Sequence, residues 1–182
     1  MKPSRSGKTK SHYIHFYYGF GKGKTTATLG LALRAVGQGR KVIMIQWLKG
    51  RATIGEMRAS KLLAPHFSIK QFGPQYFTWD PPGPGEHKRL ARAGLDYLEQ
   101  VIDKRKFDVL ILDELGDALS MRFIPQGRTI ALIKKAAQQA EVLVTGHEPV
   151  ASLMQVADLA TEMKKVKHYF EKGQMAREGI EF

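Results

Sequence analysis

The chain has 182 residues, 29 lysines and arginines against 17 acidic residues, and no cysteine. That length can bury a real core, while the lack of thiols excludes disulfides, thiolate metal sites and cysteine nucleophiles and suits a reducing compartment. No apolar run approaches the roughly 20 residues of a membrane span, and no apolar stretch follows the basic N-terminus as a secretory signal requires, so a cytoplasmic protein is expected.

Residues 1–11 are polar, basic and without periodicity. They are expected to form a flexible segment able to fold over a site, ahead of a single domain spanning 12–182. Tyr13–Tyr18 reads as a first strand. A glycine-rich turn follows, and Lys24–Val36, apolar on most faces, reads as a helix buried against a sheet and ended by Gly37 and Gly39. Lys41–Gln46 contains the continuous apolar run Val42–Ile45, the mark of a strand covered on both faces. Trp47–Gly55 reads as a loop at its carboxyl end, Glu56–Leu63 as a short helix stopped by Pro65, and Phe67–Phe72 as a third strand.

Gly73–Gly85 is a proline- and glycine-rich loop carrying Tyr76, Phe77 and Trp79; long loops with aromatic residues are usually functional or disordered. Glu86–Arg105 has a helical apolar face. Val109–Leu112 is a buried strand that ends in Asp113-Glu114. Short helices are expected at Leu115–Met121 and Pro149–Val156, a longer one at Pro125–Gln138, and strands at Val142–Val144 and Leu159–Met163. Val166–Phe170 and Met175–Ile180 flank Glu171-Lys172-Gly173 and read as a C-terminal hairpin.

Strands alternating with helices predict an α/β fold whose mainly parallel central sheet is flanked by helices. In such sheets ligands sit at the carboxyl ends of the strands. That rule brings the glycine-rich turn, Gln46–Gly50, the aromatic loop, Asp113-Glu114 and Thr145–His147 to one edge.

The turn itself, Gly19-Phe20-Gly21-Lys22-Gly23-Lys24-Thr25-Thr26, lies between strand and helix and ends in Gly-Lys-Thr. This is a phosphate-binding arrangement: backbone N–H groups and a helix N-terminus close on phosphate oxygens. The usual first glycine is missing, because Tyr18 occupies its place. Lys24 is expected at the outer phosphates, and the Thr25 hydroxyl on Mg²⁺. Asp113-Glu114 supplies the second acidic motif that holds the metal directly or through water.

The net charge of +12 is unevenly spread: eleven lysines and arginines precede the first acidic residue, Glu56, and from there 18 basic residues face 17 acidic ones. A basic surround of this kind suits a nucleic-acid surface, a pocket for a highly anionic small ligand, or a solvated tail.

Several blocks, in order along nearly the whole chain, resemble the P-loop type of corrinoid adenosyltransferase. They are the loop at 19–26, Gln46-Trp47-Leu48-Lys49-Gly50, Gly55-Glu56, Phe77-Thr78-Trp79, Leu112-Asp113-Glu114, Thr145-Gly146, Ala157-Asp158-Leu159 with Thr161-Glu162-Met163, Lys167-His168, and Gly179-Ile180-Glu181-Phe182. The resemblance implies a P-loop NTPase (RecA-like) fold. It implies transfer of the 5′-deoxyadenosyl group of ATP to the Co(I) of a reduced corrinoid, with release of triphosphate, in adenosylcobalamin biosynthesis or salvage.

It further implies that Gly19, Gly21, Lys22, Gly23, Lys24, Thr25 and Thr26 bind the phosphates. Thr25 and Glu114 would bind Mg²⁺ or Mn²⁺, and Phe77 and Trp79 would contact the corrinoid. Lys24, Phe77, Trp79 and Glu114 thus form the expected catalytic set. A homodimer, an electron-donating reductase as partner, and no nucleic-acid or membrane partner are implied as well. One departure stands out: the family usually carries arginine after Thr-Gly, and this chain has His147. The competing expectations are a RecA-like or nucleic-acid-binding ATPase and a small-molecule kinase, both of which release ADP.

Overall fold

The continuous apolar runs build the centre of a sheet that is covered on both faces, because such strands have no polar side to offer water. The computed structural model describes residues 12–74, 84–104 and 106–182. Its strands are β1 (Ile14–Tyr18), β2 (Val42–Trp47), β3 (Phe67–Phe72), β4 (Val109–Asp113), β5 (Glu141–Gly146) and β6 (Leu159–Glu162). They form one six-stranded sheet in the order β3-β2-β4-β5-β1-β6, and every pairing is parallel.

The helices are α1 (Lys24–Gly37), α2 (Gly55–Leu62), α3 (Pro84–Lys104), α4 (Leu115–Ser120), α5 (Gln126–Ala136) and α6 (Ala151–Val156). Strand side chains alternate between two cores. Val109 and Ile111 join Val42, Met44 and Leu143 beneath Ala32 of α1. Leu110 and Leu112 join Ile45, Val142 and Val144 on the other face, against Leu95, Leu98 and Ile102 of α3. Full burial of such a side chain stabilises by about 1.5–3 kcal/mol, so this period-two pattern fixes the register.

Register then aligns the polar strand ends. Gln46 stands opposite Asp113, and Tyr17 opposite Thr145. The sequence pattern ends β2 at Gln46, but the strand continues through Trp47, which is fully buried and donates its indole N–H to the Ala91 carbonyl at 3.0 Å. A buried indole needs such an acceptor, and α3 supplies it.

The expected C-terminal hairpin does not form. Residues 163–182 carry no ladder. A 3₁₀ turn at Tyr169–Lys172 ends at Gly173, whose φ is 83°. The apolar alternation there is misleading because Val166, Phe170, Met175 and Ile180 are all exposed. Without a buried face, nothing selects a strand register. The basic segment 1–11 and the aromatic residues Phe77 and Trp79 lie outside the described residues.

The end of β5 also abuts the start of α4 without side chains between them. A Cβ at Gly146 would meet the Gly116 Cα at 2.8 Å. Neither backbone can yield easily, so Gly146→Ala is expected to lower stability by about 1–3 kcal/mol. Urea denaturation measures this; an unchanged midpoint would contradict the packing described.

Candidate active site

β1 delivers the chain into the loop at Gly19, whose N–H donates to the His147 carbonyl at 2.9 Å. Gly21 donates to the Met163 carbonyl at 2.6 Å, and a Cβ there would lie 2.5 Å from the same oxygen. Only glycine fits that approach. The loop is therefore fastened on one side to the segment after β5 and on the other to the segment after β6. Gly23 precedes α1, which has no side-chain cap and no acidic residue in its first turn. Its free N–H groups and positive dipole end form an anion site.

Lys24 leans back over the loop, donating to the carbonyls of Gly19 at 2.6 Å and Gly21 at 3.1 Å. Burial lowers its pKa, partly offset by the charges of Asp117, Glu114 and Asp113. Lys22 turns the other way, to Glu181. Thr25 and Thr26 face the same cavity, which has a volume of about 610 Å³. Its lining combines the cationic Lys22, Lys24 and Lys49 with the apolar side chains of Leu29, Leu33, Leu63 and Ile180.

Asp113, fully buried at the end of β4, ties the site together. Its Oδ1 accepts the hydroxyls of Thr25 at 3.0 Å and Thr145 at 2.8 Å. Its Oδ2 accepts Gln46 Nε2 at 3.1 Å and Lys49 Nζ at 2.8 Å. Gln46 in turn accepts from Gln71 at 2.9 Å. Lys49 lies 3.3 Å from Glu114 as well. Burial pulls the Lys49 pKa down, but Asp113 and Glu114 outweigh it and the net shift is upward.

Glu114 occupies the left-handed region, φ 58°, and its N–H donates to Thr145 Oγ1 at 2.8 Å. Leu48, before Lys49, shares that conformation at φ 59°. Such backbone costs of order 1–3 kcal/mol per residue and gathers at functional sites. Here it aims Glu114 and Lys49 at one point. His147 is braced: its backbone N–H and its ring Nδ1 both bond to Asp117 Oδ1, at 3.1 and 3.0 Å. Its ring lies 5.8 Å from that of Phe20.

Of the residues marked from sequence, Gly23, Lys24, Thr25, Thr26 and Glu114 line one cavity, whereas Gly19 and Gly21 hold the loop against the segments after β5 and β6. Lys22 lines the same cavity but is engaged elsewhere, and Phe77 and Trp79 lie outside the described residues. The sequence marks Asp113 only jointly with Glu114 as the acidic motif, and Lys49 and Thr145 only as members of segments at the sheet edge; it does not single out Asp117. The signal for Asp113 is its place beside Glu114 after a buried strand; that for Lys49 is a lysine just past one. Among the described residues, no group of three or more His, Cys, Asp or Glu forms a protein-only metal cage.

Desolvation raises the Glu114 pKa from 4.5 to about 7, with Asp113 and Asp117 adding to the rise and Lys49 opposing it. The folded state then holds this proton more tightly than the unfolded one. The stabilisation is complete below about pH 4.5 and is lost as pH rises through about 7. In metal-free protein, Glu114→Gln should therefore gain stability over wild type at about pH 8, by up to about 3 kcal/mol, with most of the gain gone by about pH 5. A pH-independent difference in urea unfolding would contradict this.

Comparison with known proteins agrees with the geometry. The fold is similar to that of the flagellar accessory protein FlaH from Methanocaldococcus jannaschii, with a TM-score of 0.56 and 13% identity over 82% of this chain and 70% of that one. Corrinoid adenosyltransferase from Escherichia coli strain K12 is 32% identical over 93% of this chain and 85% of its own. The Pseudomonas aeruginosa enzyme of the same name is 32% identical over 90% and 80%. Corrinoid adenosyltransferase CobA of Salmonella typhimurium is 31% identical over 93% and 85%. The family model described as ATP:corrinoid adenosyltransferase BtuR/CobO/CobP matches residues 10–182. The chain belongs to the ATP:corrinoid adenosyltransferase family.

Proposed function

We propose that the cavity is where ATP gives its 5′-deoxyadenosyl group to the Co(I) of a reduced corrinoid, with the triphosphate lying against the loop. The observation that carries this is the uncapped, acid-free start of α1 together with Lys24 and Lys49. In the reaction the cobalt electron pair forms a bond to C5′, the C5′–O bond breaks, and the triphosphate leaves intact. About four negative charges leave together, so donors fixed before the reaction are worth most. Lys24 and the α1 N–H groups stabilise a leaving group here, not a transferred phosphoryl. No general base is required, since cobalt supplies the electrons.

The donor set suits Mg²⁺ or Mn²⁺ bound with phosphate. The Thr25 hydroxyl and the Glu114 carboxylate offer hard oxygens from one side only, as Mg²⁺ sites shared with substrate phosphates do. Thr25 and Glu114 would hold the ion, which when bound neutralises charge on the triphosphate. Glu114 is held near half-protonation at neutral pH by burial, and a cation would displace that proton.

The aromatic residues Phe77 and Trp79 would contact the corrinoid and favour cobalt without its lower axial ligand. Residues 1–11 would cover the site as a basic flap, with 12–182 acting as one domain. The enzyme would work in the cytoplasm as a homodimer, fed by an electron-donating reductase. His147, braced by Asp117, would take the place of the usual arginine beside the substrates.

Incubation of the protein with ATP, Mg²⁺ and chemically reduced cobalamin or cobinamide tests this. The expected products are a photolabile Co–C species and intact triphosphate, with transfer abolished in Lys24→Ala. ADP as product, or full transfer by Lys24→Ala, would overturn the assignment of the loop.

A further inference from the structure

The two lysines of the phosphate loop have different tasks. Lys24 stays with the loop, whereas the Lys22 ammonium leaves it to donate to Glu181 Oε1 at 2.5 Å, Tyr169 Oη at 2.7 Å and the Ile180 carbonyl at 3.3 Å. We propose that Glu181 is a positioning residue of the nucleotide site: by holding Lys22 it fastens residues 177–182 across the phosphate loop as a wall of the ATP cavity. This rests on the cavity being the ATP site, and it concerns how that site is closed.

Glu181 gathers more partners than a surface carboxylate needs. The Tyr169 hydroxyl donates to the same Oε1 that Lys22 reaches. Oε2 accepts the Arg177 backbone N–H at 2.7 Å and its Nε at 3.3 Å. The Tyr169 ring receives the Lys22 ammonium at 5.4 Å and the Arg177 guanidinium at 5.0 Å from its centre. Lys22, then Tyr169 and Arg177, hold the Glu181 carboxyl well below the usual carboxylate range, so it stays charged.

Apolar packing cannot substitute for this cluster. Ile180 is 57% exposed and Phe170 62%. Yet Gly179, Ile180, Glu181 and Phe182 all line the cavity. The far end of the segment reaches α2, where Arg58 lies 3.3 Å from Glu178 and a Cβ on Gly55 would touch Phe182 at 3.9 Å. The segment thus bridges the phosphate loop and α2, with Glu181 as its anchor on the loop side. Loss of the anchor frees a wall that contacts nucleotide equally before and during reaction. The cost falls on binding, not on the chemical step.

The test uses full-length wild type, Glu181→Gln, Glu181→Asp, Lys22→Met and the Glu181→Gln/Lys22→Met double variant. Dissociation constants for a fluorescent ATP analogue with Mg²⁺ are read alongside KM for ATP and kcat with reduced cobalamin. Each single removal should raise Kd and KM about tenfold, with kcat within about twofold, and Glu181→Asp should recover part of the loss. The double variant should be no worse than the worse single one, because both break the same contact. Unchanged nucleotide affinity in Glu181→Gln, additive effects, or a fall confined to kcat would overturn the proposal. Should Glu181→Gln not fold, Lys22→Met probes the same bond from the loop side. Nucleotide binding needs no corrinoid, so a wild type that binds ATP but forms no Co–C product refutes the adenosyl-transfer assignment separately.

Discussion

A carboxylate with no exposed surface must find a donor for each lone pair that water cannot reach, or it destabilises the fold. Asp113 meets that demand with four side chains: Thr25, Thr145, Gln46 and Lys49. Each comes from a different part of the chain, namely the start of α1, the end of β5, the end of β2 and the loop beyond it. They meet only if β2, β4 and β5 keep their register. The apolar alternation of the two cores enforces that register, so ordinary strand packing sets the geometry of a charged site.

The same network explains the electrostatics around it. Lys49 is shared between Asp113 at 2.8 Å and Glu114 at 3.3 Å. It neutralises one buried carboxylate and only partly relieves the other, which leaves Glu114 with a pKa near 7. Across the cavity, α1 presents free N–H groups and Lys24 with no acid of its own. An anionic ligand there meets cationic groups on the loop side and, on the β4 side, a carboxyl whose pKa burial pushes up to about 7. This division suits a bound triphosphate with a bridging cation, and the adenosyl-transfer chemistry of the family asks for no further acid–base group.

The fold was legible where residues are forced by burial. Val109–Leu112 has no polar position, so only a strand covered on both faces suits it. Gly19–Thr26 announces phosphate binding because few other tasks call for glycine and lysine between a strand and a helix. The site was less legible where neighbours compete. Asp113 and Glu114 are adjacent acids, and only the strand register decides that Asp113 turns inward to Thr25. Lys22 and Lys24 look equivalent in sequence, yet Glu181, 159 residues away, removes Lys22 from the loop. The residues after β6 alternate like strands, but with no core beneath them their charges decide their path.

The direct test of the central claim is the catalytic efficiency of Asp113→Asn in adenosyl transfer. Asparagine keeps the shape but turns an amide N–H₂ toward donors that need an acceptor, breaking the network without a cavity. If the Asp113 carboxylate organises the site, kcat/KM for ATP falls by at least about 100-fold, equivalent to about 2.7 kcal/mol. An efficiency within about threefold of wild type would mean that the site does not depend on this carboxylate.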